Sequence, residues 1–178
     1  MPLPTESKDR MYIRYPATPA EVEMVRDLFR EYERSLGFDL HFQDFSRELA
    51  RLPGAYAPPD GWLLLASSAE APAGCAGIRK IGNGICELKR MYTRPAYRGQ
   101  KLGWRMALLL IDKAKELGYR KMRLDTIATM VEAIGLYRSL GFRDIPPYYH
   151  NPVPGARFME LDLEPQMNRD GCVDQLSL

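Results

Sequence analysis

Residues 85–118, ICELKRMYTRPAYRGQKLGWRMALLLIDKAKELG, decide the fold. The stretch Ile85 to Thr93 reads as a strand, and Pro95 leads on into a short basic loop, Arg98-Gly99-Gln100-Lys101-Leu102-Gly103. Beyond it Leu102, Met106, Leu109, Leu110, Ala114 and Leu117 fall three or four apart, the period of a helix face, until Gly118 ends the pattern. Strand, loop and long helix in this order make an anion cradle. The first amides of a helix have no intrahelical acceptor, and the aligned peptide dipoles add partial positive charge there, so a phosphate is the natural guest. Two glycines allow close backbone approach, while Arg98 and Lys101 add local charge. The spacing fits neither a Walker A loop nor the dinucleotide fingerprint. On its own the loop reads equally well as a chain turn with solvated basic residues.

Working outward towards the C-terminus, Met122 to Ile127 is the next strand. Thr129 and Glu132 have capping-box spacing and open a helix carrying Ile134, Leu136, Tyr137 and Leu140, which stops at Gly141. Phe142 to Ile145 and Ala156 to Leu163 are the closing strands, parted by Pro146, Pro147, Pro152 and Pro154. Towards the N-terminus, Met11 to Tyr15 is a short strand. Ala20 to Leu36 follows as an amphipathic helix on Val22, Val25, Phe29, Tyr32 and Leu36, with Gly37 after it. The connector Phe38 to Phe45 (FDLHFQDF) is aromatic and acidic, and Gln43 to Leu52 reads as a second short helix ended by Pro53 and Gly54. Gly61 to Ser67, Gly74 to Ile81 and Ile85 to Thr93 form an antiparallel meander, with turns at Ala71-Pro72 and Gly82-Asn83-Gly84. The order implies an α+β or mixed α/β fold, a sheet covered by helices, with a right-handed parallel unit around the long helix. Residues 1–10 read as a tail, 11–163 as one domain and 164–178 as a polar, frayed tail.

The totals narrow the function. With 25 Lys plus Arg against 23 Asp plus Glu, the formal net charge of +2 provides no global field to draw the chain onto nucleic acid, so any anion site is local. Three cysteines (Cys75, Cys86 and Cys172) without a CxxC pair, and two distant histidines (His41 and His150), suggest neither a disulfide framework nor a metal site. No signal-peptide core or membrane-length apolar run is present, which points to a reducing cytoplasm.

Two motifs carry a family resemblance. Met91 to Gly103 is similar to the pyrophosphate loop of the GNAT superfamily of N-acetyltransferases, and Ala133-Ile134-Gly135-Leu136-Tyr137-Arg138-Ser139-Leu140-Gly141-Phe142 resembles that family's later helix and the turn after it. The resemblance is strongest from Cys75 to Leu163 and weaker over the first 60 residues. It implies a mixed, mostly antiparallel twisted sheet of six to seven strands with a central parallel βαβ unit and about four helices. It also implies direct transfer of an acyl group from a CoA thioester, acetyl-CoA first, to the primary amine of a small-molecule or amino-acid-like acceptor. No metal, nucleic acid or membrane takes part, and the chain works as a monomer or homodimer. In this resemblance the backbone of Met91, Tyr92 and Thr93 pairs with the pantetheine amides, Arg98, Gly99, Gln100, Lys101, Leu102 and Gly103 hold the pyrophosphate, Tyr137 is the general acid and Glu87 the general base. Lys101 stands where the family has its middle glycine, and Met130 where many members have Asn. A non-catalytic acyl-CoA sensor would share the loop and differ at the acid and base.

From the residues alone, Tyr137 reads as a core aromatic on a helix face. Glu87, a carboxylate on an otherwise apolar strand, needs a reason to be there, and an ion pair with Arg79, Lys89 or Arg90 is as good a reason as catalysis. Cys86 has no partner histidine in sequence and reads as a small buried apolar residue. By the resemblance, the Phe38–Phe45 connector and the Tyr148-Tyr149-His150-Asn151 segment wall the acceptor pocket.

Overall fold

The computed structural model describes residues 10–69 and 71–164. The tail at residues 1–9, Cys172 and the polar tail after Glu164 lie outside the described residues. The elements run β1 (Tyr12–Arg14), α1 (Pro19–Leu36), α2 (Phe45–Arg51), β2 (Trp62–Ser67), β3 (Pro72–Gly82), β4 (Ile85–Thr93), α3 (Leu102–Glu116), β5 (Lys121–Ile127), α4 (Val131–Ser139), β6 (Arg143–Ile145) and β7 (Ala156–Asp162), with short 3-10 turns at His41–Gln43, Gly54–Tyr56 and Pro95–Tyr97. The seven strands form one sheet in the order β1-β2-β3-β4-β5-β7-β6. Its pairs are antiparallel except β4 with β5, the strands that flank α3.

The two helices beside the site start by different devices. At α1 the Thr18 side chain accepts from the Glu21 amide, the Glu21 carboxylate accepts from the Thr18 amide, and Pro19 occupies a first-turn position where no amide donor is needed. The capping box expected at Thr129 and Glu132 does not form. The Met130 amide instead closes a turn on the Ile127 carbonyl, leaving Thr129 inside that turn, and Met130 becomes the N-cap without a side-chain bond.

Alternation along β2 sends Leu63 and Leu65 to one face of the sheet and Leu64 and Ala66 to the other. The first face packs against Val25, Leu28 and Phe29 of α1. The second packs against Met106, Leu110 and Ala114 of α3 and Tyr137 of α4. Each fully buried aliphatic of this kind contributes about 1.5–3 kcal/mol. Packing on both faces explains why the central strands read as nearly continuous apolar runs.

Two irregularities shape the centre of the sheet. Cys75 lies opposite Tyr92 and Gly77 opposite Lys89, so β4 carries one residue more than β3 between these pairs. The bulge centres on Arg90, which adopts a left-handed φ of 56°. Strict alternation would send Lys89 and Arg90 to opposite faces, but both contact Gln43 on the α1–α2 side. Gly77 lies across from the bulge because a Cβ there would meet the Tyr56 ring at 2.6 Å. The second irregularity is a split. β4 and β5 pair only over Ile85–Glu87 with Lys121–Arg123, and then diverge. Past that point the edge of β4 that faces β5 has no paired strand among the described residues.

Candidate active site

The mouth of this split opens into two adjoining cavities. The larger cleft runs along Met91, Tyr92 and Thr93 to the start of α3, where Arg98, Gly99, Lys101, Leu102 and Gly103 line it. Of the residues expected to hold coenzyme, Gln100 does not line this cleft and points to solvent. Gly99 (φ 79°) and Lys101 (φ 57°) both take left-handed backbone, which turns the chain sharply into α3. Nothing lies within 4 Å of a Cβ built on Gly99. Among the described residues the amides from Gly99 to Trp104 have no backbone acceptor. An exposed turn of free amides at a helix start, with basic side chains beside it, fits a diphosphate chemically. Lys101 takes the conformation that glycine would adopt there freely, so its amide is presented much as a glycine's would be, with some backbone strain. The Arg98 side chain folds back and its Nε donates to the Thr93 carbonyl at 3.1 Å. The half-exposed Trp104 and exposed Val131 border the cleft as well, and no motif singled them out.

The smaller cavity lies on the other side of Tyr137. Tyr32, Leu36, Met91, Ile127, Met130 and Tyr137 line both spaces and form the wall between them. Tyr137 is buried against Phe142. Burial first, and then the neighbouring Tyr32 and Asp125 groups, raise its pKa far above the ordinary phenol value, so it holds its proton at neutral pH. Phe38, Leu40 and Phe42 of the connector supply an apolar wall, while of the segment Tyr148 to Asn151 only Asn151 lines the cavity. Gln43, Lys89, Arg90, Asp125 and Asn151 supply a polar floor.

That floor is one connected network drawn from four separate segments of chain. Lys89 Nζ donates to Asp125 Oδ1 at 2.6 Å and to Gln43 Oε1 at 3.3 Å. Asp125 Oδ2 accepts from the Tyr149 hydroxyl, from Gln43 Nε2 and from Asn151 Nδ2. Arg90 donates through Nε and Nη2 to the two oxygens of Glu48, at 2.9 and 2.7 Å, and through Nη1 to Gln43 Oε1. Burial works to raise the pKa of Asp125, but the Lys89 charge and the hydrogen bonds from Lys89 and Tyr149 outweigh it, and the carboxyl is held below its usual value. Glu48 is depressed in the same way, burial being overcome by Arg90. No buried side-chain polar atom among the described residues lacks a partner.

Glu87 sits elsewhere. Its carboxylate is buried, and Arg79, through Nε and Nη2, and the Tyr148 hydroxyl hold it at 2.9, 2.9 and 2.7 Å, with Lys89 Nζ at 3.5 Å. It lines neither cavity and reaches the smaller one only through Lys89. Arg90, one of its expected partners, pairs with Glu48 instead. Cys86 is fully buried, and burial pushes its thiol up to about 12, away from the thiolate a nucleophile requires. His41 and Asp39 are exposed and paired with each other. The carboxylate that faces the cavity, Asp125, was missed in sequence, where it is one acidic residue on an alternating strand.

Among the described residues no cluster of His, Cys, Asp and Glu is placed to hold a metal ion, and no helix is long and apolar enough to cross a membrane. The split sheet, the free amides at α3 and a tyrosine between two cavities define an acyl-transfer architecture, and comparison with known proteins agrees. Residues 22–142 match the model of the Acetyltransferase (GNAT) family. The chain is 40% identical over 147 residues to an uncharacterized N-acetyltransferase of Schizosaccharomyces pombe, covering 82% of this chain and 90% of that protein. It is 28% identical over 137 residues to the thialysine N-epsilon-acetyltransferase of Sus scrofa, covering 70% and 77%. A GNAT-family acetyltransferase of Staphylococcus aureus shares the fold with a TM-score of 0.74 at 21% identity, over 87% of this chain and all of that one. PaiA N-acetyltransferase of Thermoplasma acidophilum, solved in complex with coenzyme A, gives 0.65 at 18% identity over 86% and 99%. The chain belongs to the GNAT family of N-acetyltransferases.

Proposed function

We propose that residues 11–163 act as one catalytic domain that moves an acetyl group from acetyl-CoA directly to the primary amine of a small-molecule or amino-acid-like acceptor. The observation that carries this is the shared wall: Tyr137 borders both the cleft that ends at the α3 amides and the cavity floored by Asp125. The pyrophosphate rests on the amides of residues 99–103, and the pantetheine arm lies along the unpaired edge of Met91 to Thr93, as an added strand would. The thioester then lies at the shared wall, with the acceptor amine in the second cavity.

The amine must lose a proton, which passes to solvent water, before it attacks. Its nitrogen lone pair forms the bond to the thioester carbonyl carbon, the carbon–sulfur bond breaks, the departing thiolate takes the Tyr137 proton, and the proton that the nitrogen sheds as the amide forms restores the Tyr137 phenol. A backbone amide at the β4 edge stabilises the carbonyl oxygen as its charge grows. Asp125 faces the amine and orients it. Glu87, set behind Lys89, bears on the proton transfer only through that ammonium. The names of related enzymes support a small amine acceptor, thialysine in the pig protein.

The test is thiol release from acetyl-CoA in the presence of amines, with calorimetry of acetyl-CoA against ATP as the binding control. Coenzyme binding with acceptor-dependent release supports the enzyme. Coenzyme binding with no release from any small amine, amino acid or peptide favours the sensor, and ATP binding without a coenzyme response refutes both.

A further inference from the structure

The charges that face the acceptor cavity are two cations, Lys89 and Arg90, and one carboxylate, Asp125. Glu48 and Glu87 pair with these cations but lie outside the cavity lining. Lys89 is balanced by Asp125 and Arg90 by Glu48, so what distinguishes the floor is its hydrogen-bond donors rather than a net charge. A guanidinium has five N–H donors. Glu48 and Gln43 take three of Arg90's, and one N–H on each of Nη1 and Nη2 has no acceptor among the described residues. The bulge places this arginine here, since a regular strand would have turned it to the other face of the sheet.

On the reading that this cavity receives the amine, we infer that it recognises an acceptor carrying a carboxylate beside the reacting amine, an amino acid with an apolar side chain. The acceptor's carboxylate takes the remaining Arg90 donors, charge-assisted bonds worth more than neutral ones. Its amine lies towards Asp125, and its side chain packs on Leu36, Phe38, Leu40 and Phe42. Once its amine is deprotonated, such an acceptor carries its charge on the carboxylate that those donors receive. A diamine or polyamine has no acceptor group to offer those donors.

Matched acceptors test this with the intact chain and acetyl-CoA: leucine, leucinamide and 3-methylbutylamine; phenylalanine, phenylalaninamide and phenethylamine; and putrescine. The expected result is kcat/KM for the two amino acids at least about tenfold above their amides and amines, the low end for a hydrogen bond to a charged group. The amide's amine is less basic and more of it is neutral at a given pH, so a carboxylate preference cannot come from protonation alone. Arg90→Lys should raise KM for leucine by a factor at least about tenfold larger than its effect on KM for 3-methylbutylamine. If that variant fails to fold, the wild-type series still decides. Equal or faster turnover of the amides, amines or putrescine overturns the inference and leaves the acetyltransferase reading standing. Calorimetric binding of acetyl-CoA with no thiol release from any of the seven overturns it as well, and absence of coenzyme binding removes the reading beneath it.

Discussion

The two ends of the site are built from different materials. The end proposed to hold coenzyme is centred on the backbone of one continuous segment, Met91 to Trp104, where the start of α3 and two left-handed residues present free amides, with α1 and α4 lining the rest of the cleft. The end proposed to receive the acceptor has a floor of side chains from the α1–α2 connector, β4, β5 and the β6–β7 loop, held together by Gln43 and Asp125. A backbone site leaves a local mark in the sequence, because helix starts and positive φ restrict the residues that fit. A side-chain site leaves none until the fold brings its parts together. The first end can tolerate substitution of many side chains, and the second depends on each partner being present.

The largest effect is expected where the two ends meet. Tyr137→Phe should lower kcat by about 10²- to 10⁴-fold, the usual worth of one acid–base group, with the calorimetric Kd for acetyl-CoA nearly unchanged. Loss of coenzyme affinity to the same degree would mean that the ring shapes the cleft rather than serving the chemistry. Next comes the acceptor floor. Glu48→Ala leaves the buried Arg90 guanidinium without its paired carboxylate, and should cost about 3–5 kcal/mol in denaturant unfolding. A cost below about 1 kcal/mol would show that the floor is as tolerant as the loop.

A smaller effect separates the ends by pH. Asp125 has a folded-state pKa below its unfolded value of about 3.9, so its stabilising contribution is complete above that pH and lost as pH falls through the folded value. The stability gap between the wild type and Asp125→Asn should be flat from pH 5 upward and narrow in stronger acid. A gap that opens as pH falls would contradict the assignment. The smallest change belongs to the backbone end. Lys101→Gly relieves a left-handed non-glycine residue and should stabilise the chain by about 1 kcal/mol, with coenzyme affinity kept within a few-fold, since the amide is retained.

Most of the fold was legible in the sequence. The 3.6-residue stripe of α3, the glycines after α1, α3 and α4, and the turn residues of the β2–β4 meander placed the elements to within a few residues. The β4–β5 parallel pair also followed from the strand–helix–strand order. The start of α4 was misplaced because Thr129 and Glu132 have the spacing of a cap, while the Met130 turn on Ile127 preempts it. The loop was legible for the reason given above. The floor was not: the bulge at Arg90 carries no glycine to announce it, and nothing local links Gln43 or Asn151 to Asp125. Even Glu87, correctly picked out as a carboxylate needing a reason, meets Arg79 and Tyr148 through tertiary contacts that its own strand does not specify.

Amide resonances of the isotope-labelled chain, followed during titration with acetyl-CoA, address the backbone cradle most directly. The amides of Gly99 to Trp104 should move furthest and saturate together with those of Met91 to Thr93, and the same shifts should persist with Arg98→Ala. Binding that leaves Gly99 to Trp104 unmoved, or that disappears with the Arg98 side chain, would show that the start of α3 does not hold the diphosphate through its backbone.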